Sequence, residues 1–254
     1  MEKATRKISQ KNTGWILKVL KPVIINIVGS CKDIAIAAAR EPRLFGDKCK
    51  ALYLNAGSGS RQPAADDKPE YNVSLNAASY SSLFDLQCPV YWMPCFENVR
   101  TQLEKQIIME YGTFYKFRQD EILPHLSEKM RGYFYYMLGR SADPNWLKSL
   151  SKLPDKQAVD YFGQQERGMW CTGGFLHAAG FTVTREGAII PLNEADGNEA
   201  FTFDPIEVTC DDRGVTRWSN QKSSKNRFIF HVRDTGNYCQ AMTKAMKSLL
   251  EELP

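Results

Sequence analysis

Hydrophobic and polar positions alternate along this chain in a way that predicts a strand–helix–strand–helix–strand unit over residues 22–97. Val23 to Val28 is β-branched and nearly all apolar, the pattern of a strand buried on both faces of a parallel sheet. Gly29-Ser30 turns the chain, and Asp33 to Arg40 is an alanine-rich helix that Glu41-Pro42 ends. Ala51 to Leu54 is the next strand. It leads into a glycine- and serine-rich loop from Asn55 to Ser60 that runs on to Asn72. A helix over 76–84 and a strand over Val90 to Met93 complete the unit. Alternation of this kind implies right-handed crossovers and an open, mostly parallel, doubly wound α/β sheet.

Outside that core the pattern changes. Trp15, Ile16, Val19 and Leu20 share one face of a short amphipathic helix that Pro22 ends. Residues 98–167 are aromatic and charged and read as a helical insertion. Its Tyr111, Phe114, Tyr115, Phe117, Tyr133 and Phe134 are either a helix–helix core or a wall against a ligand ring. Gly168 to Phe181 reads as a loop entering a buried helix. Phe203 to Cys210 and Phe228 to Val232 read as a hairpin-like pair, and Asn237 to Leu253 as a closing amphipathic helix. The whole of 1–254 is expected to form one domain.

Composition changes this picture little. The chain has 254 residues, 43% hydrophobic and 24% charged, and a net charge of +4, as in an ordinary globular protein. Its basic runs, Lys3 to Lys21 and Gln221 to Arg227, lack a stacking platform, which argues against nucleic acid. No apolar stretch is long enough to span a bilayer, and no membrane partner is expected. Seven scattered cysteines without a C-x-x-C pair suggest free thiols in a reducing, cytoplasmic setting. If Met1 is not the native start, a secretion signal could lie upstream.

Candidate chemistry collects at the strand ends, where open α/β sheets bind ligands. Glu70 and Asn72 can grip vicinal hydroxyls while Tyr71 covers an apolar ring face; equally, they can cap a loop that enters a helix. The Val28 carbonyl, exposed before the Gly29 turn, can face a hard cation. His177 sits among apolar residues, as a core histidine or a substrate contact. Cys171 or His177 as a nucleophile or base would make a different enzyme, but the sequence shows no activating charge beside either.

Four of these stretches carry a resemblance. Val28-Gly29-Ser30-Cys31-Lys32-Asp33-Ile34-Ala35, Glu41-Pro42, Leu54-Asn55-Ala56-Gly57 and Glu70-Tyr71-Asn72-Val73 resemble motifs of the inosine-uridine preferring nucleoside hydrolase family. The resemblance implies the fold of that family and hydrolysis of the N-glycosidic bond of ribonucleosides. It also implies a calcium ion held by an aspartate cluster, with an aspartate as general base. By the same resemblance Glu70 and Asn72 bind ribose hydroxyls, Tyr71 lies against the sugar, and Val28 offers its carbonyl to the calcium. The family's aspartate cluster precedes the region that Val28 matches, yet no aspartate precedes Asp33 here, and no acid lies between Glu166 and Glu186. Asp66-Asp67 lies in a different loop. Poor calcium binding and negligible hydrolysis are therefore expected of this chain, as of a divergent member or one lacking its first strands. The alternative is a non-catalytic sugar- or nucleoside-binding module of the same fold. A sheet without its first strands has an open edge, so a homo-oligomer is expected.

Overall fold

The computed structural model describes residues 21–61, 63, 68–97, 109–139, 144–150, 155–221 and 226–254. The helix expected over Trp15 to Leu20 and the pair Asp66-Asp67 lie outside them. In chain order the core begins with β1 (Val23–Ile27), α1 (Lys32–Arg40), α2 (Pro42–Lys48) and β2 (Cys49–Asn55). It continues with α3 (Tyr71–Ser74), α4 (Ala77–Ser82) and β3 (Val90–Met93). Beyond it come β4 (Tyr115–Arg118), α5 (Glu128–Leu138), α6 (Lys156–Gln164), β5 (Glu166–Met169) and α7 (Thr172–Ala178). The chain closes with β6 (Phe181–Val183), β7 (Ile189–Pro191), β8 (Phe201–Pro205), β9 (Glu207–Cys210), β10 (Thr216–Ser219), β11 (Arg227–Val232) and α8 (Tyr238–Glu251).

Five strands make the central sheet in the order β1-β2-β3-β11-β8. The first four are parallel and β8 is antiparallel. The register sets the two faces. Ile27, Leu54, Trp92 and Ile229 lie side by side on one, and Asn26, Tyr53, Tyr91 and Phe228 on the other. The first face packs on the alanines of α1, on Phe45 of α2 and on Tyr80 of α4. Small side chains let α1 approach the sheet closely, as its composition predicts. The second face is covered by Leu176 of α7 and by Ala241, Met242 and Ala245 of α8. Helices on both faces make the sheet doubly wound. The close seat of α7 depends on glycine: a Cβ on Gly174 would fall 1.9 Å from Met93 Sδ.

Three expectations need correction. Residues 98–167 are not helical throughout. Tyr115–Arg118 pairs antiparallel with Glu166–Met169, because Tyr-Lys-Phe-Arg alternates at the period of a strand. Pro42 does more than end α1: it starts α2, where its missing N–H costs nothing. The run Phe203 to Cys210 breaks at Ile206. Its first part pairs antiparallel with β11, and its second pairs with β10 across the Asp211–Gly214 turn. No helix among the described residues is long and apolar enough to cross a membrane.

Candidate functional site

The carboxyl ends of β1, β2 and β3 bring most of the expected residues together. β2 ends at Asn55, whose side chain is buried at the centre of a polar cluster. Its Nδ2 donates to the Met93 carbonyl at 2.9 Å and to Thr113 Oγ1 at 3.0 Å. Its Oδ1 faces the thiols of Cys171 at 3.2 Å and Cys95 at 3.9 Å. Asn72 Nδ2 donates to the Asn55 carbonyl at 3.1 Å. Since Ile27 pairs with Leu54, Val28 lies next to Asn55 at the same rim, half exposed.

Glu70 closes the loop above this cluster. Gly57, at φ +85°, turns the chain sharply after β2, and its N–H donates to Glu70 Oε2 at 3.0 Å. The same carboxylate N-caps α3, accepting from Asn72 N at 3.0 Å and Val73 N at 3.4 Å. Three backbone donors thus converge on a buried carboxylate. Tyr71 projects into solvent, 73% exposed. The Glu70-Tyr71-Asn72 motif is at the strand ends, with its acid turned inward and its aromatic outward.

His177 stands apart from this cluster. It closes the short helix α7, whose N-cap is Cys171, so the two are separated by roughly 9 Å of helix rise. Its Nδ1 lies 2.7 Å from the Tyr53 hydroxyl, and its ring packs against Phe203 and Tyr91. Burial pushes the imidazole down from 6.5 to about 4. Between those values the unfolded chain binds a proton at His177 that the folded chain does not. Stability is therefore present above pH 6.5 and lost as the pH falls toward 4, by up to about 1.4 kcal/mol per pH unit. Melting temperatures across that range should show the loss, and H177F should flatten it.

Burial also raises the thiols, Cys171 to about 11 and Cys95 well above its ordinary value. Both remain protonated near neutral pH, so neither is an activated nucleophile. Calcium takes about six to eight oxygen ligands, most of them anionic. The nearest carboxylate, Glu70, already accepts three N–H donors, and the rest of the cluster offers amides, hydroxyls and thiols. Among the described residues no group of three or more His, Cys, Asp or Glu side chains could hold a metal ion. These residues do not fit a calcium ion.

Sequence reading overlooked Asn55, Thr113 and Cys95 as members of one cluster. A signal was present for Asn55, the one polar side chain ending a strand whose last five residues are all buried. A separate charged cluster lies on the far strands. His231 Nδ1 meets Asp204 Oδ2 at 2.6 Å, His231 Nε2 meets Glu110 Oε1 at 3.1 Å, and Arg233 also pairs with Asp204. Burial alone would raise Asp204, but hydrogen bonds from His231 and Thr202 and the Arg233 charge hold it below the usual range. The cluster clasps β8, β11 and the segment around Glu110 together.

No protein-family model and no curated protein matches the chain. Solved structures do. An inosine-uridine preferring nucleoside hydrolase from Bacillus anthracis aligns at 10% identity and a TM-score of 0.42, over 94% of this chain and 65% of its own. A purine-preferring ribonucleoside hydrolase from Gardnerella vaginalis aligns at 14% and 0.47, over 96% and 66%. A plant nucleoside hydrolase aligns at 11% and 0.49, over 96% and 67%. The chain spans about two thirds of the length of these structures. At such scores function has to be argued from the residues themselves.

Proposed function

We propose that this chain is a nucleoside-hydrolase-like α/β protein that holds a nucleoside or related sugar at the carboxyl ends of β1–β3 and does not by itself cleave it. One observation carries this reading. Three of the four motif stretches come together at one rim of the sheet, with Val28, Asn55, Asn72 and the Glu70-capped loop adjacent, while Glu41-Pro42 lies at the other end of α1. Apart from the Glu70 carboxylate, which backbone donors occupy, the described groups there are neutral hydrogen-bonding partners, suited to hydroxyls, and include neither a thiolate nor a metal cluster. Hydrolysis of an N-glycosidic bond needs an activated water and charge stabilisation of an oxocarbenium-like transition state, and these described residues supply neither.

Seven free thiols support a reducing setting, the cytoplasm. Self-association belongs to the same reading. Among the described residues β1 has one hydrogen-bonded neighbour, and Ile24 and Val28 are 38% and 50% exposed.

The test is calorimetric titration with inosine, uridine and ribose, with and without calcium, beside an assay for released ribose and light scattering on the same sample. Calcium-independent binding without ribose release is expected, from an assembly larger than a monomer. Calcium-dependent release of ribose would replace the binding module with an enzyme. Failure of all three ligands to bind would remove the reading, and a monomer would remove its assembly part.

A further inference from the structure

We propose that a second site, distinct from the strand-end cluster, binds a small molecule bearing a carboxylate or a phosphate. It is a cavity of about 540 Å³ between the β6–β7 turn and the start of α8. That volume is in the range of ordinary small-molecule pockets. The cavity lies where β11 ends and antiparallel β8 begins, on the same rim of the sheet as Asn55 but on the far side of β3. Arg185, Glu186, Asn198, Asp234, Gln240 and Lys244 line it.

Its formal charges balance, yet its free hydrogen-bonding capacity does not. The acids are engaged: Glu186 accepts from Asn198 Nδ2 at 2.8 Å, and Asp234 Oδ1 accepts from the N–H groups of Gly236 and Asn237. The cations keep donors to spare. Lys244 donates one hydrogen bond, to the Glu186 carbonyl at 2.8 Å, and has two further N–H donors. Arg185 also lines the cavity, and its Nε, shut off from solvent, has no hydrogen-bond partner, so the guanidinium gains one by turning toward a ligand. A buried donor left unpaired on a guanidinium is costly, and an oxyanion is the partner its fork geometry fits. The backbone around it is fixed, since Arg185 N donates to the Asn198 carbonyl and Asn237 Nδ2 to the Arg185 carbonyl. Gln240 adds an amide for the uncharged part of the ligand. An oxyanion seated between Arg185 and Lys244 would complete the donors that the fold leaves open.

The full chain is to be titrated with inorganic phosphate and, separately, with citrate, at constant ionic strength. The readout is the side-chain amide resonance of Gln240 and, in the unaltered protein, the Arg185 Nε–H resonance. Saturable shifts are expected, with binding at least tenfold weaker in R185Q and in K244Q. R213Q, on the exposed β9–β10 turn, should bind as the unaltered chain does. Response to phosphate alone assigns a phosphoryl ligand, and response to citrate alone a carboxylate. K244Q alters an exposed side chain and carries the test should R185Q fold poorly. No saturable shift with either anion, or undiminished binding in K244Q, would overturn the proposal. Neither result bears on the strand-end cluster.

Discussion

Replacing Arg227 by methionine is expected to lower the stability of the fold by roughly 3–5 kcal/mol, read as a shift of the urea unfolding midpoint. Arg227 opens β11 and is 2% exposed. Its Nε donates to the Phe84 carbonyl at 2.9 Å, its Nη1 to the Cys88 carbonyl at 2.9 Å, and its Nη2 to the Leu86 carbonyl. One planar guanidinium therefore holds the whole approach to β3 against the strand inserted beside it. Methionine keeps most of the apolar stem and removes every donor, leaving these carbonyls without their partner. Lysine should recover little, because a single ammonium cannot reach three carbonyls in a fixed fork. A loss below about 1 kcal/mol would mean that water replaces the guanidinium there.

The second large effect belongs to Glu70. E70A is expected to cost about 2–4 kcal/mol, since it strands the N–H groups of Gly57, Asn72 and Val73 together and removes an N-cap. E70Q keeps one acceptor oxygen and should fall between. The experiment also divides two roles that the sequence left open. A carboxylate that serves mainly to grip a ligand would, when removed, weaken binding and leave the melting temperature nearly unchanged. A carboxylate that builds the loop would lower the melting temperature in the absence of any ligand. The geometry places Glu70 in the second role, and melting curves of the free protein are the measurement that checks it.

The parts of this fold that could be read in the sequence are those set by local pattern. Val23 to Ile27 and Val90 to Met93 are strands because β-branched and aromatic residues run together there, and α1 is a helix because its alanines favour one. What could not be read depends on partners distant in sequence. Tyr115–Arg118 looks like part of an aromatic helix until Glu166–Met169 is beside it. Glu207–Cys210 leaves the central sheet because Thr216–Ser219 offers a nearer edge. The candidate site divides in the same way. Glu70 and Asn72 were visible as a motif, but that Glu70 points inward at Gly57 follows from the turn, and a turn's donors are not written in its side chains. Thr113 and Cys171 reach Asn55 from segments far along the chain.

The place of β11 between β3 and β8 has a consequence for how the chain is made. Residues 94–226 all leave the ribosome before the strand that covers the outer edge of β3. Throughout that interval the nascent sheet can be complete only from β1 to β3, and the β3 edge has no partner from the final sheet. Late, non-local pairing of this kind makes folding slow and leaves an unpaired strand edge exposed during synthesis. Chains stalled or clipped before Arg227 also lack the guanidinium that fixes the approach to β3. Such incomplete chains are the ones this topology exposes most to edge-to-edge aggregation.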